Sequence, residues 1–170
     1  SMEFSGEGLK SLSMDDRLCI ANMAIEAGGK NGIFEVDDKT LAYVAERSDR
    51  KPVVYAADED AVYDEVIEIN LSEIKPTVAF PHLPENTRPA SELHDIVIDQ
   101  VVIGSCTNGR LSDLKDAYEI LKDQKINDDI RLLILPASRE IYKQAMQLGY
   151  IEAFIDAGAI ICNPGCGPCL

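Results

Sequence analysis

The sequence has no run of apolar residues approaching the roughly 18 to 20 that a membrane helix needs. Its opening, Ser1-Met2-Glu3-Phe4-Ser5-Gly6, lacks a basic region followed by an apolar stretch. A membrane span and a secretory signal are therefore not expected, and a cytoplasmic location is. Basic residues are scarce, with 16 Lys and Arg against 30 Asp and Glu and a formal charge of -14. Such a surface repels phosphate backbones and anionic lipid headgroups, which argues against nucleic acid and membrane as partners. Histidine is limited to His82 and His94, both in a proline-rich stretch and both read as surface residues. No internal repeat occurs.

What remains is the make-up of a globular protein: 170 residues, 46% apolar and 27% charged, enough for one good core or two modest ones. Ser1-Met2 and an end at Leu170, one residue after Cys169, lead to the expectation of an internal piece of something longer. Ser13, with Asp16 three residues on, predicts a capped helix whose apolar positions include Leu18, Ile20, Ala21, Ala24 and Ile25 and which stops at Gly28-Gly29. Residues 33–36 predict a short strand, Asp37 to Thr40 open a helix to about Arg47, 57–65 is helical or irregular, and 66–71 predicts a strand.

Between 75 and 95, Pro76, Pro81, Pro84 and Pro89 predict a linker without regular structure, giving a first domain over 1–75, a linker over 76–95 and a second domain over 96–170. In that second domain, strands over 98–104, 130–135 and 159–162 alternate with helices over 111–123, 138–148 and 151–156. Alternation of this kind predicts an α/β fold, a mostly parallel sheet covered on both faces by right-handed crossovers in three α/β/α layers. Functional residues of such sheets gather at the carboxyl ends of strands. Cys106 follows one such end and the segment Cys162 to Cys169 follows another, which brings distant residues to one edge.

Five cysteines in a reducing compartment are ligands or buried hydrophobes before they are disulfides. Cys19, among apolar neighbours in the first helix, reads as a small core residue. Cys106 lies in Gly104-Ser-Cys-Thr-Asn-Gly-Arg110, and the others in Cys162-Asn-Pro-Gly-Cys166-Gly-Pro-Cys169. Cys166 and Cys169 form a C-x-x-C that suits a redox dithiol, half a zinc site or part of an iron-sulfur cluster. A zinc site would draw on Cys106, Cys162, Cys166 and Cys169. A cluster held by only three thiolates leaves one iron open as a Lewis acid.

Ile103-Gly-Ser-Cys-Thr-Asn-Gly-Arg110 and Pro164-Gly-Cys-Gly-Pro-Cys169 resemble the two cluster signatures of the aconitase family. Upstream, Phe4 with Ser5-Gly-Glu-Gly8, Leu12-Ser-Met14 and Ala21-Asn-Met-Ala-Ile-Glu-Ala-Gly28 resemble the segment that precedes them, so the likeness runs from Glu3 to Leu170. Gly109-Arg110 is similar to the isopropylmalate and homoaconitate dehydratase branch rather than to aconitase itself. The resemblance implies a 4Fe-4S cluster on Cys106, Cys166 and Cys169, with no counterpart for Cys162. It implies that Glu26 handles the departing or arriving water and that Asn22 lies beside cluster and substrate, on one helical face at positions i and i+4. Arg110 is a candidate clamp for a substrate carboxylate, and equally a helix cap or the partner of an acidic neighbour.

The implied reaction is a hydro-lyase isomerisation of 2-isopropylmalate to 3-isopropylmalate, a step of leucine biosynthesis, by dehydration and rehydration. Homoaconitate or another hydroxy-diacid is the alternative substrate. A separate small subunit, as a heterodimer or heterotetramer, is the implied partner and supplies a serine base. The chain alone is expected to be inactive. A reading of another class remains beside it: a non-catalytic module holding zinc with four cysteines.

Overall fold

The structure, a computed structural model, describes residues 1–169, the last by its backbone alone; Leu170 and the side chain of Cys169 lie outside the described residues. The chain divides into two compact units, Ser1–His94 and Asp95–Leu170.

In the first unit, strands β1 (Met2–Phe4) and β2 (Gly32–Phe34) pair in parallel, Phe4 opposite Phe34, and the two rings stack at 4.8 Å. Helix α1 (Met14–Met23) begins at the expected box: the Ser13 hydroxyl accepts from the Asp16 N–H at 3.1 Å, and the Asp16 carboxylate accepts from the Ser13 N–H at 2.7 Å. Regular helix ends at Met23, short of the expected stop at Gly28-Gly29. Residues 24–28 continue as turns, closed by Gly28 N–H to the Ile25 carbonyl and Gly29 N–H to the Ala24 carbonyl, with Gly28 at φ 83. Helix α2 (Asp38–Ala45) is capped by the Asp37 carboxylate, which accepts from the Thr40 N–H at 3.0 Å.

One polar knot ties these pieces together. Arg17, 2% exposed, donates from both terminal nitrogens to the two Asp37 oxygens at 2.7 Å each, and also to the Leu9 carbonyl and the Thr40 hydroxyl. The Arg17 guanidinium, with the Thr40 N–H adding to it, holds the Asp37 carboxyl well below the usual carboxylate range.

Two expectations fail in this unit. The strand over 66–71 does not form. Val66, Ile67 and Ile69 stay exposed beside no partner strand, and Asn70 turns the chain by accepting from the Ser72 N–H, which starts a 3-10 turn over Leu71–Glu73. The stretch 76–95 is not free of regular structure either. Strands β3 (Thr77–Ala79) and β4 (Thr87–Pro89) form an antiparallel ribbon whose prolines occupy the connecting turn and the outer end, where a missing N–H costs little.

In the second unit, β5 (Gln100–Gly104), β6 (Arg131–Leu135) and β7 (Ile160–Ile161) make a parallel sheet in that order, with Gly104 opposite Leu135 and Ile134 opposite Ile161. Helices α3 (Leu111–Leu121), α4 (Arg139–Gln147) and α5 (Tyr150–Ala157) fill the crossovers and contact one another. Both crossovers step the same way across the sheet, so their right-handedness puts the helices on one face. Leu114, Ala117, Ala145, Ile151 and Phe154 meet Leu132 and Ile134 there, flanked by Val101, Ile103 and Ile161. Val102 and Ile160 point the other way and are exposed. The fold is α/β with mostly parallel strands as expected. The second helical layer of the expected three is not formed by the described residues of this unit.

Candidate cysteine centre at the carboxyl edge of the sheet

All three parallel strands of the second unit end at the same edge, and the cysteine segments start from it. After β5, Gly104 takes φ +88 and turns the chain sharply, with its Cα packed so close to the Leu135 carbonyl that an added Cβ would lie 2.2 Å from that oxygen. The loop that follows is cross-braced. Gly109 N–H donates to the Ser105 carbonyl at 3.1 Å, Thr107 N–H to the Ser105 hydroxyl at 3.3 Å, and Ala137 N–H to the Gly109 carbonyl at 2.8 Å. Cys106 stands exposed at its outer bend, with its sulfur 3.8 Å from the Thr107 hydroxyl.

After β7, Cys162 extends the sheet by one hydrogen bond, its N–H donating to the Ile134 carbonyl at 2.9 Å, and stays half-buried. The chain then loops through Pro164-Gly165 to an exposed Cys166 and a 3-10 turn over Gly167–Cys169. The sulfurs of Cys106 and Cys166, 60 residues apart in the chain, are 3.7 Å from each other. That is far longer than the S–S bond of about 2.05 Å, and it is contact distance for two thiols facing the same small space. Thiolates are soft donors suited to iron, zinc or copper.

Cys162 does not complete the set: among the described residues no three Cys, His, Asp or Glu side chains come together to hold a metal ion. Cys169, expected as the third ligand, has its backbone in the same turn as Gly167 while its side chain lies outside the described residues. Arg110 occupies the N-cap of α3, four residues beyond Cys106, and its main-chain N–H donates to the Asp113 carboxylate at 2.9 Å. This places the guanidinium-bearing residue on the same loop as the thiol.

Asn22 and Glu26 belong to the first unit. Asn22 lies near the end of α1 and Glu26 in the turns beyond it, both exposed. The single helical face expected for the pair therefore ends between them. Cys19 is half-buried in α1. His82 and His94 sit in the ribbon turn and just after the last 3-10 turn of that unit, and neither approaches a metal-binding group among the described residues. A residue that sequence reasoning passed over is Leu135. It ends β6, is 2% exposed, and touches both cysteine loops.

The second unit is thus a parallel α/β unit that presents thiols from two strand ends at one edge. The family model of the aconitase family (aconitate hydratase) matches residues 1–95 and 86–170, and the chain belongs to that family. It is 62% identical over 170 residues to the 3-isopropylmalate dehydratase large subunit of Clostridium kluyveri, covering 100% of this chain and 40% of that protein. It is 61% identical over 171 residues to the protein of the same name from Caldicellulosiruptor bescii, with the same coverage of 100% and 40%. The Acetivibrio thermocellus protein of that name is 61% identical over 170 residues, 100% of this chain and 41% of the relative. The chain thus spans about 40% of the length of the curated relatives it matches.

Proposed function

We propose that this chain is the cluster-bearing part of a hydro-lyase large subunit that isomerises 2-isopropylmalate to 3-isopropylmalate by removing and re-adding water. The observation that carries the reading is the 3.7 Å approach of the Cys106 and Cys166 sulfurs from two different strand ends. Its support is the identity of 61–62% to large subunits of that name across the whole chain. A metabolic step of this kind belongs to leucine biosynthesis in the cytoplasm; among the described residues no helix is long and apolar enough to cross a membrane.

The donor set fits a 4Fe-4S cluster. Cys106 and Cys166 converge and are exposed, and Cys169, three residues beyond Cys166, would be the third thiolate. When bound, such a cluster supplies one iron without a protein ligand, a Lewis acid for the hydroxyl and carboxylate oxygens of a hydroxy-diacid. The protein's own groups do the rest. Glu26 would hold or move a proton at the departing hydroxyl oxygen, as a carboxyl positioned for general acid-base work does. Asn22 would hydrogen-bond the substrate, and the Arg110 guanidinium would take a second carboxylate in a two-pronged grip. The partner is a separate small subunit, the counterpart of the relatives' large one, and it would supply the base that takes the carbon-bound proton.

The rival is a zinc module with four cysteines. A tetrahedral ion with Zn–S bonds of about 2.3 Å spaces its thiolates about 3.8 Å apart, close to the 3.7 Å between these sulfurs, whereas thiolates on two irons of a cubane cluster lie roughly 6 Å apart, so the two exposed loops would open to admit one. What weighs against zinc is Cys162. The zinc reading needs it in the set, and it stays out of any three-residue group among the described residues.

Anaerobic addition of iron and sulfide tests the proposal. A brown chain holding about four irons is expected, unaffected by Cys162→Ser and abolished by Cys106→Ser. Colourless protein with one zinc, lost in Cys162→Ser, would overturn it. With the cluster in place and the small subunit added, the complex should turn over 2-isopropylmalate, and Glu26→Gln should cost about 100-fold or more in kcat.

A further inference from the structure

The two cysteine loops rest on one residue. Leu135, at the carboxyl end of the central strand, is 2% exposed and pairs with Gly104 across the sheet. Its main-chain oxygen faces the first loop so closely that a Cβ added at Gly104 or at Gly109 would lie 2.2 Å from it. Its side chain faces the second loop as closely: a Cβ added at Gly167, the neighbour of Cys166, would lie 2.1 Å from Leu135 Cδ2. The backbone side of Leu135 thus sets the height of Cys106, and its isobutyl group sets the height of Cys166.

Glycine at both contact points is what this packing requires, because any side chain there would push a loop off the strand end. Gly167 also takes φ +59, a conformation that glycine adopts without cost. Close-packed interiors transmit such displacements rather than absorb them. The two loops that carry the sulfurs, 3.7 Å apart, thus both bear on Leu135.

We propose that Leu135 is the positioning residue that supports both cysteine loops and so sets how closely the Cys106 and Cys166 sulfurs approach in the apo chain, an inference that rests on reading these two thiols as ligands of one centre. Its role is exerted through the thiols and not on substrate.

The test needs no cluster. In the full chain carrying Cys169→Ser, reduced and metal-free, phenylarsine oxide can capture both thiols only if they lie close, forming two As–S bonds with loss of one water. Peptide mapping identifies the bridged pair. The parent should bind one equivalent across Cys106 and Cys166. Gly167→Ala, which leaves the helix-packed core intact, should weaken that capture at least about tenfold, because one arm of a two-armed grip no longer reaches. Adding Leu135→Val to Gly167→Ala removes the atoms in conflict at equal backbone strain and should restore most of the affinity. Leu135→Met alone, which conserves volume, should leave it near the parent's. Thermal unfolding of each variant verifies that the fold is retained.

Parental affinity in folded Gly167→Ala, or a double variant no better than Gly167→Ala, would overturn the proposal. A parent that captures no arsenical would overturn the spacing on which it stands. Iron and sulfide loading of the unsubstituted chain is read separately. Its failure removes the dehydratase reading and leaves the arsenical result intact, whereas a failure confined to the Gly167→Ala and double-variant comparisons removes the role of Leu135 without touching the cluster.

Discussion

The two units are held together by different kinds of interaction. Asp95–Cys169 has an apolar centre: Leu114, Ile134 and Phe154 are all fully buried, and three helices close over one face of a parallel sheet. In Ser1–His94 only Leu9, Arg17 and Ala24 are buried, and Val62, Val66 and Ile67 are exposed at 95%, 81% and 72%. There the organising contact is ionic, the two-pronged grip of Arg17 on Asp37, which fixes α1, the N-cap of α2 and the Leu9 turn at once. An apolar core is indifferent to pH and stands on volume. A buried guanidinium stands on its partner and on charge. The two units should therefore fail under different insults.

The largest effect is expected from Phe154→Ala, which empties the centre of the second unit. Truncating a fully buried phenylalanine costs about 3–5 kcal/mol. Hydrogen exchange followed by mass spectrometry should show protection lost over 100–161 while the peptides around Arg17 are unchanged. Equal loss in both regions would mean that the two do not stand on separate supports. Asp37→Ala comes next. Removing one partner of a fully buried ion pair costs about 3–5 kcal/mol, but the Asp37 side chain is 36% exposed, so about 2–3 kcal/mol is expected once solvent screening is allowed for. Its exchange signature should be the mirror image, confined to 2–45.

Acid should reproduce the second experiment without a mutation. The folded pKa of Asp37 is depressed by the Arg17 guanidinium, so its stabilisation is fully present above the unfolded carboxylate pKa of about 3.9 and is lost as pH falls below it toward the folded value. Between about pH 4 and pH 2 the first unit should lose exchange protection ahead of the second, and Asp37→Asn should remove this difference.

How much of this was legible beforehand depended on how local the signal was. The capping box of Ser13 and Asp16 and the cap at Asp37 are written within four residues, and both formed. Strand and helix alternation after residue 95 marked the parallel unit and the edge where Cys106 and Cys166 converge. Long-range pairings left no such trace. The three residues of β1 are too short for a periodicity to show, and they are strand only because β2 lies beside them. Val66 to Leu71 carry strand-like composition but find no partner, and composition alone cannot supply hydrogen bonds. Arg17 looked like one more charged residue of a helix; its burial is decided by Asp37, 20 positions on. Leu135 ends an ordinary apolar strand, and only packing reveals the glycines on either side of it. For Asn22 and Glu26, family resemblance carried the reading, because exposed polar residues at the end of a helix have no signature of their own.

The smallest effect concerns how the chain between residues 63 and 74 is attached to the first unit. Val66, Ile67, Ile69 and Ile74 line a cleft of about 480 Å³ with Phe4 and Phe34, so this irregular stretch covers the stacked rings loosely and without a ladder. Its one polar tie is the Tyr63 hydroxyl, which donates to Glu3 on β1 at 2.8 Å; the Glu3 carboxylate in turn pushes the phenol pKa up. A raised pKa stabilises fully below the unfolded value near 10, and that contribution disappears as pH rises through the folded one. Both groups are open to solvent, where such a bond is screened, so Tyr63→Phe should leave the unfolding midpoint unchanged within error. Local opening is a finer gauge than global unfolding. Exchange over 63–70 should quicken in Tyr63→Phe at neutral pH, and the parent should reach the same rate above about pH 10. An unchanged rate in the variant would mean that the apolar contacts alone hold the stretch down.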